Sequence, residues 1–309
     1  MVMKFGRAYC EQLEKNLSPY QARELYTDED GDHYDEVLTF LCEDKNCRSA
    51  LTPVGIYMTR KSKRALHFRT KDEHKNGCKF LELVDTDGKP RKPSLNEDDY
   101  KVSAFPSEFN LTPPKRKSNG GGSIVDSDDD AGSTGGGAAG SSGGARRKTS
   151  SKTRYLDLVV DCFLSGDDES KKGLFTIGAK TKPFQRFFKK VEYFGDEVGL
   201  IYYGIIDRLE FYPGIGIGIR FNKRVEVADT YHRIWVNIPL AKIDQSRRKK
   251  AFMAEIIELK KAFDQKEEVL AFFVGAYPIK TAITLKEGDT FDIYQAELSS
   301  IDHLSLTFS

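Results

Sequence analysis

The chain has 309 residues, of which 39% are apolar and 31% charged, a composition that suits a soluble globular protein with room for two ordinary domains. Its formal net charge of +1 excludes a global field that would draw the whole molecule to nucleic acid or membrane, so any electrostatic attraction must come from local patches. No apolar run approaches the roughly 18 residues of a membrane-spanning helix, and "MVMKFGRAYCEQ" lacks the apolar core of a secretory signal, so an intracellular, cytoplasmic protein with no membrane partner is expected.

In chain order, residues 1–41 are acidic, with nine Asp or Glu against four Lys or Arg. "EVLTFLC", "ALTPVGIYM" and "CKFLELVD" then read as short strands between polar turns. Cys42 and Cys47 frame "CEDKNC", and His74 and Cys78 frame "HKNGC". Each pair is close enough to donate to one ion from a single turn, and the stretch between them leaves room for a hairpin. Zn²⁺ takes four tetrahedral thiolate or imidazole ligands, and its structural sites join two such pairs from separate turns. A closed Cys₃His zinc site is therefore expected. His67 is the alternative to His74, either as a ligand or as a ring that orients one from outside. Five cysteines in a reducing compartment argue against a disulfide framework, and Cys10 and Cys162, in apolar or helical contexts, read as buried thiols.

The metal pairs are embedded in positive charge. From Cys42 to Phe80 there are ten Lys or Arg against four acids. Arg60, Lys61, Lys63, Arg64 and Arg69, in "TRKSKRALHFR", read as a basic turn or strand edge that can lie along a phosphate backbone.

The order of "FLCEDKNC", an apolar hairpin, "HFR" and then "HKNGC" resembles the zinc-finger-like N-terminal region of competence protein CoiA and related bacterial nucleic-acid-binding proteins. The likeness covers about residues 38 to 82. It departs from the family at the first pair, CxxxxC here where the family tends toward CxxC, and at "HFRT", where the family has an "HFAH"-like element. The resemblance implies zinc, nucleic acid, and a bacterial setting of genome defence or DNA uptake and processing. The family's nuclease portion does not carry over: Glu258 and Lys260 in "IELK" form an ExK, but on an amphipathic helix and without an upstream aspartate partner.

Residues 113–152 are dominated by Gly, Ser and Ala and cannot bury enough surface to offset their ordering entropy, so a flexible linker is expected between a small zinc-stabilised β-rich domain at 1–112 and an α+β domain at 153–309. In the second domain "RYLDLVVDCFLSG" has helical spacing, "LFTI" is a short strand, and "KPFQRFFKKVEYFG" reads as a second helix with Phe184, Phe187, Phe188 and Val191 on one face. Interleaved Arg186, Lys189 and Lys190 suggest stacking beside phosphate contacts, with Tyr193, Tyr202 and Tyr203 the freer rings.

"GLIYYGII", "LEFYPGIGIGIRF" and "HRIWVNIPL" read as strands, and Asp244 to Phe263 as the longest helix. "EVLAFFVGAY", "TAITL", "FDIYQAEL" and "HLSLTF" complete a mostly antiparallel sheet or open barrel with about three helices. The GxGxG run at Gly214, Gly216 and Gly218 is not a phosphate loop; it reads as a strand with a bare face that lets another group approach closely. Arg247, Arg248, Lys249 and Lys250 at the start of the long helix oppose its dipole, which a bound phosphate would offset. Solvation, or acidic contacts from another subunit, are the alternatives.

Together these features predict a zinc-containing, non-catalytic nucleic-acid-binding protein. A metal-dependent nuclease, with Asp157, Asp161, Asp207 or Glu210 holding Mg²⁺, is the alternative. A third reading is an interaction adaptor whose folded halves each bind protein, and a protein partner or a second copy of the chain is also expected through the C-terminal domain.

Overall fold

The computed structural model describes residues 4–58, 66–70, 74–78, 106–112, 152–165, 171–284 and 290–308. Of the expected linker only Lys152 falls among them, and most of "CKFLELVD" lies outside them.

The N-terminal segment forms a six-stranded antiparallel sheet from β1 (Lys4–Phe5), β2 (Ala8–Cys10), β3 (Lys15–Leu17), β4 (Phe40–Leu41), β5 (Ala50–Val54) and β6 (His67–Thr70). Its spatial order is β1-β6-β5-β4-β2-β3. Alternation decides which side chains enter the core: Leu38, Phe40 and Cys42 are buried while Val37 stays exposed. Phe40 meets Phe68 of β6 with ring centroids 4.7 Å apart. Helix α1 (Pro19–Thr27) was not predicted from spacing, yet "SPYQ" carries its start signal. Ser18 Oγ accepts from Gln21 N at 3.2 Å and Gln21 Oε1 accepts from Ser18 N at 2.8 Å, a capping box with Pro19 at the first helical position.

A four-stranded sheet joins both sides of the Gly/Ser-rich stretch. Its order is β10 (Lys180–Pro183), β9 (Leu174–Ile177), β7 (Glu108–Phe109) and β8 (Lys152–Thr153). Phe109 is buried in the same core as Val159 and Phe175, so residues 106–112, assigned above to the first domain, pack with the second.

The largest sheet has eight strands, mostly antiparallel. β16 (Ile279–Thr284), β17 (Thr290–Glu297), β14 (Thr230–Pro239), β13 (Gly216–Val227), β12 (Ile201–Tyr212), β15 (Val269–Phe273) and β18 (Leu304–Phe308) lie in that order, with β11 (Phe188–Lys190) parallel to the start of β12. The sheet stays open, and helices α2 (Leu156–Ser165), α3 (Leu240–Asp244) and α4 (Lys249–Asp264) complete the α+β unit among the described residues. No helix among them is long and apolar enough to cross a membrane.

The helix expected over "KPFQRFFKKVEYFG" is not formed. Phe184–Phe187 and Val191–Asp196 are 3₁₀ turns on either side of β11. Phe184, Phe187 and Val191 are buried as their spacing demands, but a 3₁₀ turn satisfies an i, i+3 pattern as well as an α-helix does. Pairing of Phe188 to Lys190 with Ile201 to Tyr203 then takes the backbone into the sheet.

The N-terminal unit docks on the C-terminal one through polar groups. Tyr20 Oη donates to Asp161 of α2 at 2.5 Å, and Glu24 receives both Arg154 and the Tyr155 hydroxyl. Past α1, Asp28 pairs with Arg247 at 3.2 Å, Glu29 N donates to Arg247 O at 3.0 Å, and Glu29 Oε1 accepts from Lys250 N at 2.5 Å. Glu29 thus places a carboxylate where the dipole of α4 favours an anion. Replacing Asp28 by Asn and Glu29 by Gln together is expected to lower unfolding stability by about 1–2 kcal/mol at low salt, with a smaller loss at high salt. Chemical denaturation at two ionic strengths measures this; an unchanged midpoint would refute the docking role.

Candidate metal centre

The register of three strands brings the metal pairs together. β4 and β6 both run antiparallel to β5, with Phe40 opposite Leu51 and Leu51 opposite Thr70, so the turn after β4 and the chain after β6 leave the sheet at the same end. The β4–β5 turn carries Cys42 and Cys47. It is held by Asp44, whose carbonyl accepts from Cys47 N and Arg48 N at 3.0 Å each and whose carboxylate accepts from Asn46 N at 2.9 Å. In the second turn Cys78 N donates to Lys75 O at 3.0 Å, and Gly77 has φ +82°. A Cβ added at Gly77 would meet nothing within 4 Å, so left-handed backbone rather than lack of space calls for glycine there.

Four donor atoms converge. The Sγ atoms of Cys42 and Cys78 are 3.8 Å apart, and His74 Nδ1 lies 3.2 Å from Cys47 Sγ and 3.3 Å from Cys78 Sγ. All four donors lie within 4.8 Å of one another. A tetrahedral ion with bonds of about 2.3 Å to sulfur and 2.0 Å to nitrogen sets its donors about 3.5–3.8 Å apart. The cluster is within a few tenths of an ångström of that figure along the measured edges. Cys42, Cys47 and Cys78 are at most 1% exposed and His74 is 8% exposed, so the residues present fit a closed metal site.

The surroundings hold these groups in place. The Arg48 guanidinium sits 3.4 Å from the Tyr9 ring centroid and donates to Cys42 O at 3.1 Å, tying the first turn to β2. Phe5 of β1 covers His74, with ring centroids 5.4 Å apart. Burial pushes the Cys42 thiol up. Burial acts in the same direction on Cys47, but hydrogen bonds from the Ser49 hydroxyl and backbone and from Lys75 N overcome it and bring Cys47 down to about 6. His67 pairs with Val54 at the far end of β6, so it is His74 that joins the three cysteines. Cys10 and Cys162 are buried elsewhere, and burial raises both thiols.

The predicted basic residues separate into three groups. Arg69 is exposed on β6, as are Lys45 and Lys75 in the two turns that carry the Cys₃His donors. Arg60, Lys61, Lys63 and Arg64 lie outside the described residues. The third group, at the start of α4, is already paired: Arg247 with Asp28, Arg248 with Asp302 at 3.1 Å, Lys249 with Asp244 at 2.6 Å and Lys250 with Glu29 at 3.6 Å. Glu29 of the same chain thus supplies a carboxylate at this helix terminus, and a phosphate bound there would share these cations with the acids already paired to them.

The acids proposed for Mg²⁺ are not gathered either. Asp161 accepts from Tyr20, Asp157 accepts from Ser305 at 2.6 Å, Asp207 holds Arg220 and Arg233, and Glu210 lies 3.9 Å from Lys260. Of the rings proposed for stacking, Tyr202 is buried and Tyr203 stacks on Phe272, which leaves Tyr193 exposed.

No protein-family model matches the chain, and no curated protein matches it. The metal centre therefore stands on its own geometry. Native mass spectrometry of the purified protein is expected to show one divalent metal ion per chain, and Cys78→Ser to lose most of it. Because a structural site of this kind supplies roughly 10 kcal/mol of folding energy, the variant's N-terminal sheet should unfold well before that of the wild type. A metal-free wild type with a folded N-terminal sheet would overturn the assignment.

Proposed function

We propose that the chain is a zinc-containing, non-catalytic nucleic-acid-binding protein. The observation that carries the reading is the closed, buried Cys₃His cluster, whose donor set and spacing suit Zn²⁺ and whose burial leaves no open position for a substrate or an activated water. In this role zinc holds two turns together, and the exposed cations Lys45, Arg69 and Lys75 lie on or beside those turns. Arg60, Lys61, Lys63 and Arg64 extend the positive run along the chain between β5 and β6. The scattered, individually engaged carboxylates favour binding over metal-dependent cleavage. A cytoplasmic location suits five cysteines that form no disulfide, and a bacterial setting in genome defence or DNA uptake rests on the resemblance to competence protein CoiA.

Gel-shift titrations over a salt series test this reading. Binding is expected to weaken steeply with salt, with a log–log slope of about −0.7 to −0.9 per phosphate contacted, and Arg69→Ala should flatten that slope by about one contact. Absence of binding at low salt, or salt-insensitive binding, would favour the adaptor reading instead. Cleavage of DNA or RNA with Mg²⁺ or Mn²⁺ would favour the nuclease.

A further inference from the structure

The face of the C-terminal sheet turned away from its core carries, around Gly218, a group of cations and aromatic rings from three neighbouring strands. Ile217, Ile219, Ile234, Val236 and Ile238 point into the core, so the residues alternating with them point the other way. Directly opposed partners in a ladder share a face, and the register therefore lays this face out in rows. One row runs from Trp235 of β14 to Arg220 of β13 and Arg208 of β12. The row on one side pairs Arg233 with Arg224, and the row on the other pairs Asn237 with Gly218 and Gly218 with Glu210.

Gly218 is the bare position in this face, and two rings border it. A Cβ added there would lie 2.7 Å from Tyr212 Cε2 and 3.5 Å from Trp235 Cζ3. The Arg220 guanidinium lies 5.6 Å from the Trp235 ring. Asp207, at an irregularity in β12, orients the arginines, accepting from Arg220 Nε at 2.6 Å and Arg233 Nη1 at 3.3 Å.

The charges explain what this face is for. Arg208 stands directly opposite Arg220, and Arg224 directly opposite Arg233. Like charges in that relation destabilise a sheet, and among the described residues Asp207 is the acid paired with these arginines, one carboxylate for four cations. A run of ligand anions over these two rows would relieve the repulsion. Glu210 and Glu297 lie in the row beyond Trp235, and Glu226, opposite Tyr231, lies in the row beyond Arg224 and Arg233, which confines such a backbone to the two arginine rows between them. Aromatic rings beside arginines are the elements with which proteins hold unpaired bases, whereas a duplex keeps its base faces internal.

We infer that this face is a stacking platform for single-stranded nucleic acid, with a base on Trp235 beside Tyr212 and phosphates at Arg208 and Arg224. The inference rests on the nucleic-acid reading above and gives it a second binding surface, remote in sequence from the metal centre. Trp235 is the chain's single tryptophan, so the intrinsic fluorescence of the full-length protein reports on the platform.

Titration with a short oligothymidylate is expected to quench that fluorescence saturably, while inorganic polyphosphate does not and the matching duplex binds more weakly. By anisotropy of a labelled oligothymidylate, Trp235→Ala should weaken binding about tenfold or more, Trp235→Phe less, and Arg224→Ala should reduce the salt slope. Oligothymidylate binding with unchanged tryptophan fluorescence and equal affinity in Trp235→Phe and Trp235→Ala would overturn the platform and leave the broader reading standing. Equal quenching by polyphosphate would overturn stacking, and tighter duplex binding would overturn the single-strand assignment. No binding by any probe would overturn both readings.

Discussion

The N-terminal unit depends on a register. With Phe40, Leu51 and Thr70 side by side, the turn after β4 and the chain after β6 emerge at one end of the sheet. A shift of one residue in either pairing would exchange inward for outward side chains and move Cys42 away from Cys78. The contact between Phe40 and Phe68 reinforces the pairing that the metal ligands need. Core packing and donor convergence therefore specify the same alignment, which gives a small sheet a single arrangement. An ion at the Cys₃His cluster would add a cross-link between turns whose backbones are already shaped by Asp44 and Gly77.

Charge organises the next level. Acids are concentrated before residue 41 and cations around residue 250, and Asp28 and Glu29 of the first set meet Arg247 and Lys250 of the second where the turn after α1 docks on the start of α4. Arg248 shows the balance at this contact. Burial alone would lower its pKa, but Asp302, Asp157, Glu255 and Glu24 more than offset that and hold the guanidinium charged. In the proposed reading nucleic-acid binding draws on the exposed cations near the two cysteine-bearing turns and on the arginine rows of the C-terminal sheet, while the cations at the start of α4 share their charge with Glu29 and its neighbours.

These two proposed surfaces differ in physical character. The first is a set of long-headed lysines and an arginine around the buried Cys₃His cluster, suited to phosphates and indifferent to sequence. The second is built on long paired strands, with Asp207 fixing two guanidinium groups beside an indole ring, and suits base faces as well as phosphates. Rigid strands place such groups more reliably than loops do.

The sequence alone determined the features that depend on neighbours in the chain. Alternation and turn residues placed β9 and most of the strands from Ile201 to Phe308 near their observed limits, and the spacing of Cys42, Cys47 and Cys78 with two candidate histidines narrowed the donor set to five residues, four of which converge. Tertiary structure decided what depends on partners distant in the chain. The aromatic run from Phe184 to Val191 has helical spacing, but pairing with β12 drew it into strand and 3₁₀ turns. Phe109, read as part of the first domain, found its partners beyond the Gly/Ser-rich stretch. Spacing to Cys78 favoured His74 over His67, and the pairing of β6 with β5 decided it, because register sets the distance from the cysteines. For the same reason Trp235, unremarkable in "HRIWVNIPL", acquired its arginine neighbours only when β12, β13 and β14 lay side by side.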